Sequence, residues 1–378
     1  MKKVLFLQSE VTNPYTLYNK MLNESPVYWD AENKVWGIYS YDACQTILNS
    51  TVAAIPLQNN GALEKMNEHS KILIQHLARL NNPPQHQKAR LAAAQLYNAM
   101  KPTQIADILN SLLIDCKPEL DWVETVCKKL PVINVLKSFD FPDTTIELFL
   151  TNIERLVKIM LPQKTEQQIL EINEVSQEIY TLTEQHITTK LSSLMNDSNR
   201  EIPKEEQLTL YVCNLIGLIL QSYDAGRGIL SSTLLQLLNH PINVYKKSNF
   251  QKVVTETLRY DPPIQNTRRV LTENLIINDQ TLKKGDSVIV VLAAANRDVA
   301  KFTNPNQFDI NRSNNAEHLT FGAGIHTCVA KHYAVQMTVD ALHQLFTKYK
   351  NIQLIESDME YEPLVNARLH KKMIIKLR

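Results

Sequence analysis

The chain has 378 residues, long enough for one large domain or two, and 44% are hydrophobic, enough for a sizeable core. A formal net charge of +1 argues against nucleic acid as the main partner. The five cysteines, Cys44, Cys116, Cys127, Cys213 and Cys328, are far apart and form no Cys-x-x-Cys pair, which fits a reducing cytoplasm with no disulfide framework. Near the N-terminus two lysines precede the short apolar run Val4-Leu5-Phe6-Leu7. A signal peptide needs roughly 7–15 apolar residues and a membrane span about 20, so neither is expected.

Pro26–Trp29 and Val35–Tyr39 flank the polar stretch Asp30–Lys34 and predict a β-hairpin. Ser40 is placed to cap a helix through Ala43, Ile47 and Leu48. Residues 51–82 carry few periodic signals and read as a long loop with a helical piece around Glu64–Leu80. In Asn82-Pro83-Pro84-Gln85-His86-Gln87-Lys88-Ala89-Arg90 the prolines open a helix, and His86 and Arg90 share one of its faces. Taken alone, that pattern is an exposed polar face. From 101 to 200 the chain reads as helical over Thr103–Leu113, Leu120–Leu130, Thr145–Leu161 and Glu166–Asn196. Breaks are expected at Pro118, Pro131, Pro142 and Pro162, and no motif of chemistry stands out.

Residues 204–240 form one long helical pattern ended by His240-Pro241, which would span about 50 Å. Its middle, Gln221–Gly228, is polar and holds two glycines, each weakening a helix by on the order of 1 kcal/mol. A helix passing a ligand and a plain kink both suit that pattern. Glu256 and Arg259 follow on a helix that must end before Pro262-Pro263. Such pairs are ordinarily solvated and worth about 0–1 kcal/mol. Arg268–Leu271 and Asp286–Leu292 are strand-like. Phe321-Gly322-Ala323-Gly324-Ile325-His326-Thr327-Cys328 then holds a Gly-x-Gly loop ending on a cysteine, with a helix expected from Val329. The glycines allow positive φ, and a helix start near the thiol favours thiolate. On the loop alone, a buried inert cysteine and a metal-ligating thiolate are both open. A zinc site is disfavoured, because no second cysteine lies at a short zinc spacing.

These segments, in this order, resemble the cytochrome P-450 family of haem-thiolate monooxygenases. The loop matches the family's Phe-Gly-x-Gly-x-His-x-Cys-x-Gly at every fixed position but the last, where Ala330 stands for glycine. Residues 82–90 resemble its C-helix, 221–228 its I-helix, and 256–263 its K-helix. The resemblance implies one domain over 1–378 that is mainly α with a small β-rich lobe, the lobe mainly at 26–60, 264–292 and 351–378. It implies haem b ligated by Cys328, with Phe321 and Gly322 beside the thiolate and His86, Arg90, Arg269 and His326 on the propionates. Glu256 and Arg259 are expected to lock the Cys loop in a structural role. Only by the resemblance does Gln163–Glu171 read as a mobile connection over a pocket.

The family's I-helix acid–threonine pair falls on Asp224 and Ala225, so the acid is present and the threonine is not. Proton delivery is therefore expected from Asp224 and Ser222, with the Gln221 amide or a hydroxyl on the substrate as alternatives. The pocket is expected at Ala225, Gly226, Ile264, Gln265 and Val365, beside the 51–80 loop, Leu220 and Asn266. The implied reaction inserts one oxygen atom from O2 into a C–H bond of a mid-sized organic substrate, free or carrier-bound, in specialised metabolism. Electrons would come from a separate ferredoxin or flavodoxin and its reductase, docking near Lys331. The missing threonine also raises a peroxide-driven or atypical enzyme, and a non-catalytic haem sensor is a third reading.

Overall fold

The computed structural model describes residues 4–57, 60–196, 202–240, 247–355 and 359–378. The expected stop at Pro241 and Met1–Lys3 lie outside the described residues, as does part of the 351–378 segment. The chain groups into two compact units, one of Met1–Ala54, Ile105–Lys128 and Ala225–Arg378, the other of Ile55–Gln104 and Lys129–Asp224.

The first unit holds every strand among the described residues: β1 Val27–Asp30, β2 Val35–Ile38, β3 Ala53–Ala54, β4 Glu119–Asp121, β5 Thr267–Leu271, β6 Leu275–Ile277, β7 Gln280–Leu282, β8 Ser287–Val290, β9 Ile352–Leu354 and β10 Ile374–Leu377. The expected hairpin forms, with Val27 opposite Ile38 and Asp30 opposite Val35. It leads a five-stranded sheet of order β1-β2-β8-β5-β3, in which only β2 and β8 run parallel. Along β5 the side chains alternate, so Arg269 and Leu271 are buried while Arg268 is exposed. The helix after the hairpin runs Tyr41–Asn49, but Ser40 makes no side-chain cap. Its opening amide, Tyr41 N, donates instead to Asp298 Oδ2 at 2.8 Å, a cap supplied from 257 residues away.

The helix expected at Leu120–Leu130 is replaced. Leu120 pairs with Ile375 of β10, which fixes β4 as a strand. Asp121 Oδ1 accepts the amides of Val123 and Met373 at 3.0 and 3.1 Å, ending the strand and tying it to the terminal segment. A single π-helical turn, Val123–Cys127, follows. Strand pairing with a distant segment overrides local helix propensity here.

The second unit is helical. Within residues 51–82 the helical piece expected around Glu64–Leu80 forms as helix Glu68–His76 and a 3₁₀ turn Ala78–Leu80, and a further short helix, Asn60–Glu64, lies in the stretch expected as loop. Asn67 caps the second helix, accepting Ser70 N at 2.8 Å, and also donates to the carbonyl of Asn173. Pro131 lies in the first turn of helix Leu130–Ser138, where its missing N–H costs nothing, so it is no break. Helix Glu166–Lys190 opens with a capping box of Thr165 and Gln168, which makes two thirds of the segment expected as a mobile connection regular helix. Helix Lys204–Asn239 is continuous through Gly226 and Gly228.

Candidate active site

The cysteine loop is closed by its own backbone. Gly322 N donates to Leu319 O at 2.8 Å, Thr327 N to Gly324 O at 3.1 Å, and Cys328 N to Phe321 O at 2.9 Å. Gly322 and Gly324 sit at φ +70° and +67°, the left-handed region open to glycine. A Cβ on Gly324 would lie 2.4 Å from the Leu48 carbonyl oxygen, at the end of helix Tyr41–Asn49. The loop is thus seated against that helix, whose start Asp298 caps. Cys328 is in no disulfide and is half-buried, and Phe321, Gly322 and His326 are half-buried as well. The following helix runs Lys331–Lys348 with Ala330 at its N-cap, two residues later than expected.

Two further groups hold the loop's entry. Asn296 Oδ1 accepts Leu319 N at 2.7 Å, and its Nδ2 donates to Thr320 Oγ1 at 2.9 Å. Thr320 in turn donates to the Leu258 carbonyl on helix Lys247–Tyr260. His318 Nδ1 accepts Thr320 N at 3.2 Å, and its ring lies 5.5 Å from that of Phe321. Burial, then Arg259 and Lys331 nearby, push the His318 imidazole down to about 4, so it is neutral at pH 7.

Beneath this lies the Glu256–Arg259 pair, fully buried as the resemblance implied and not a solvated surface pair. Arg259 Nε and Nη2 donate to the two carboxylate oxygens of Glu256 at 2.9 and 2.7 Å. Its remaining hydrogens go to the carbonyls of Asn296, Pro305 and Gln307 at 3.0, 2.9 and 3.1 Å. Glu256 Oε1 also accepts Asp309 N at 3.0 Å and lies 3.5 Å from Arg312 Nε. Sequence reasoning missed Arg312, Asn296 and Thr320. The Asn296-Arg297-Asp298 and Phe308-Asp309 runs were the available signals, but a side chain reaching a distant carbonyl leaves no local pattern.

Arg269 is buried on the inward face of β5, with Nη1 donating to Thr267 Oγ1 and Arg268 O, each at 2.9 Å. In the second unit, His86 is buried and Arg90 half-buried on helix Gln85–Ala99, so this face is not the exposed one the pattern alone suggests. Burial first, and Arg90 second, hold the His86 imidazole below its ordinary value.

Helix Lys204–Asn239 is buried nearly all round from Leu210 to Leu237, but Gln221, Ser222, Asp224 and Ala225 are half-exposed. At spacings of one, three and four, these residues share one face. Ser222 Oγ donates to Ile219 O at 2.7 Å and Gln221 Nε2 to Gly217 O at 2.9 Å, so both polar groups bond back onto the helix. Gly226 is buried. Of the other pocket candidates, Ile264 and Val365 are half-exposed, and Ile264 bridges to Ala367. Gln265 is wholly buried, its amide donating to Pro262 O at 2.6 Å, and Asn266 Nδ2 donates to Val365 O at 2.8 Å. Both amides bond to backbone carbonyls, and the two side chains present little surface.

Among the described residues no group of three or more His, Cys, Asp or Glu side chains is placed to hold a metal ion. A lone thiolate is an incomplete protein site, yet it would suit an iron whose remaining donors come from a macrocycle. The residues present therefore fit a haem, and they do not fit zinc.

Comparison with known proteins agrees. The sequence profile described as cytochrome P-450 matches residues 250–366. Cytochrome P-450 119 of Sulfolobus acidocaldarius is 24% identical, over 96% of this chain and 99% of that one. The biotin biosynthesis cytochrome P-450 of Bacillus subtilis is 24% identical, over 94% of each. Among solved structures, P-450 BioI in complex with an acyl carrier protein ligated to hexadec-9Z-enoic acid superposes with a TM-score of 0.84. Its identity is 23%, covering 98% of this chain and 100% of that one.

Proposed function

This chain belongs to the cytochrome P-450 family and is a haem-dependent monooxygenase, and we propose that its group is haem b held by Cys328. The observation that carries the reading is the half-buried Cys328 thiol, in no disulfide, at the end of a loop fixed by two positive-φ glycines. When bound, the haem iron activates dioxygen, and a thiolate ligand favours O–O cleavage. The protein contributes binding, orientation and proton delivery. Arg269 and Arg90 are forks suited to a propionate, and His86 and His326 are further donors to it. Phe321 and Gly322 flank the thiolate. Glu256 and Arg259 keep the loop in place without touching the reacting atoms.

Asp224 is the proposed proton donor of the half-exposed helix face. Ser222 is proposed to position the proton donor by accepting a hydrogen bond through its lone pairs, since its own proton is engaged by Ile219 O. Ala225, Gly226, Ile264 and Val365 are proposed as pocket surface, with Gln265 behind them.

The proposed reaction places one oxygen atom of O2 into a C–H bond of a mid-sized organic substrate of specialised metabolism, by hydroxylation or epoxidation. The relative that handles an acyl chain on a carrier protein supports including carrier-bound substrates. No helix among the described residues is long and apolar enough to cross a membrane. The five cysteines form no disulfide among the described residues, which suits a reducing cytoplasm, and a separate ferredoxin or flavodoxin with its reductase is the proposed electron source.

The test is a visible-absorption titration with free and carrier-bound fatty acids, polyketides, peptides and terpenoids, followed by turnover under ¹⁸O2. The expected result is a shift to high spin with one class and one labelled oxygen atom in the product. Product formed with peroxide but not with dioxygen and reductase would overturn the monooxygenation scheme. That second reading is favoured by one observation, the absence of any hydroxyl at Ala225.

A further inference from the structure

In the first unit a notch of about 200 Å³ is lined by Asn13, Tyr15, Asp261, Arg297, Tyr361 and Arg368, among others, and none of these residues has a role in the chemistry above. Arg297 is 6% exposed, and its guanidinium carbon lies 3.5 Å from the Tyr15 ring centre and 3.8 Å from that of Tyr260. Its Nε donates to Tyr260 O at 2.9 Å and its Nη1 to Asn306 Oδ1 at 3.2 Å. Among the described residues Nη2 has no protein partner. Arg368, 5% exposed, stacks 3.5 Å from Tyr361 and donates to the carbonyls of Gln8, Val11 and Thr12. Neither arginine pairs with a carboxylate among the described residues.

One carboxylate lines the notch. Asp261 Oδ1 accepts the Tyr15 hydroxyl at 2.8 Å. Two guanidiniums against that one carboxylate leave a local charge of +1. Helix Pro14–Glu24 starts at the rim, capped by Asn13, and adds the positive end of its dipole. A guanidinium held between two rings is fixed in plane, so little freedom remains for a ligand to remove.

We propose that this notch binds a small oxyanion, a carboxylate or a phosphate, against Arg297 Nη2. The Arg297 edge supplies the directed donor, and Arg368 and the helix start supply field. Asp261 is the opposing charge that keeps affinity modest.

The test titrates purified holoprotein with inorganic phosphate, and separately with formate, replacing chloride at constant ionic strength. Binding is read by calorimetry and by melting temperature. The expected result is saturable one-to-one binding of phosphate. Arg297→Lys is expected to weaken it about tenfold, because lysine cannot reproduce the planar fork. Asp261→Asn keeps an acceptor for Tyr15 and is expected to tighten binding about threefold or more. Saturation by both anions assigns a general oxyanion site, and saturation by phosphate alone assigns a phosphoryl site. Should Arg297→Lys not fold, Asp261→Asn still decides, since misfolding does not tighten binding. Absence of saturation in the wild type, or unchanged affinity in Asp261→Asn, would overturn the proposal.

Discussion

The guanidinium of Arg259 meets the carboxylate of Glu256 edge to edge, through bonds of 2.9 and 2.7 Å, with both side chains at 0% exposure. A buried pair of this kind is no simple source of stability, because desolvating both charges offsets much of their attraction. Its value lies in what else the two groups hold. Arg259 gathers three carbonyls from 296–307, and Glu256 gathers the Asp309 amide, so one pair fixes the segment that leads into the Cys loop.

Removing one partner should therefore cost far more than the pair itself contributes. Arg259→Leu or Glu256→Leu leaves an uncompensated buried charge and is expected to destabilise by about 3–5 kcal/mol. Haem content should fall with it. The absorbance of the reduced carbon-monoxide complex, which reports thiolate ligation, is the readout. Arg312→Leu, whose contact with Glu256 is longer at 3.5 Å, should cost clearly less. Full haem content in Arg259→Leu would remove the pair's assigned role.

The two loop glycines separate strain from space. Both have positive φ, but a Cβ on Gly322 meets nothing nearer than 3.8 Å, whereas on Gly324 it meets backbone at 2.4 Å. Gly322→Ala should cost about 1–2 kcal/mol, the price of a left-handed alanine. Gly324→Ala adds a clash with a carbonyl that cannot swing away and should cost about 3 kcal/mol or more. Chemical denaturation of both variants checks the order. Equal losses would mean that the loop is not seated against Leu48.

The Cys loop was legible because its constraint is local. Glycine at left-handed φ and a cysteine at fixed spacing leave a pattern within eight residues. Glu256 and Arg259 were legible only through the resemblance, because two charges one helical turn apart read locally as a solvated pair. Arg312, Asn296 and Asp298 were not, because each acts on a group distant in the chain, through a carbonyl, an amide or a shared carboxylate. Leu120–Leu130 was misread because β10, far along the chain, makes its start a strand. In 51–82 the helical piece around Glu64–Leu80 was legible, but Asn60–Glu64 spans only 5 residues, too short for a period to stand out.

Acid should destabilise the fold through His370. Ser231 Oγ donates to Gly228 O, so His370 Nδ1–H donates to Ser231 at 3.0 Å, and Nε2 is left buried without a partner. Burial first, with Arg368 adding and Asp261 opposing, pushes the imidazole down to about 4 from its ordinary 6.5. Above 6.5 the ring is neutral in both states and contributes no pH dependence. As pH falls, the unfolded chain takes up the proton first, and stability is lost until about pH 4. The full loss is of order 3 kcal/mol. His370→Asn should flatten the slope of unfolding free energy between pH 6.5 and 4. His318, pushed down to about 4 as well, and His86 and His186, also shifted down, would keep the rest of it. An unchanged slope would show that His370 is solvated.

Proton delivery should rank Asp224 above Ser222. A positioned acid contributes on the order of 10²-fold or more, so Asp224→Asn is expected to cut turnover about a hundredfold while haem content and the substrate-induced spectral shift stay intact. Ser222 already donates its proton to Ile219 O and can serve only through its lone pairs, so Ser222→Ala should cost less than about tenfold. Ala225→Thr adds a hydroxyl to the same half-exposed face and should raise product formed per electron consumed. If Ala225→Thr leaves that ratio unchanged, the missing hydroxyl is supplied by the substrate. If Asp224→Asn leaves turnover unchanged, the acid has no part in the step. Solvent isotope effects on the three variants distinguish a lost proton donor from a displaced substrate, since only the former slows the proton-dependent step.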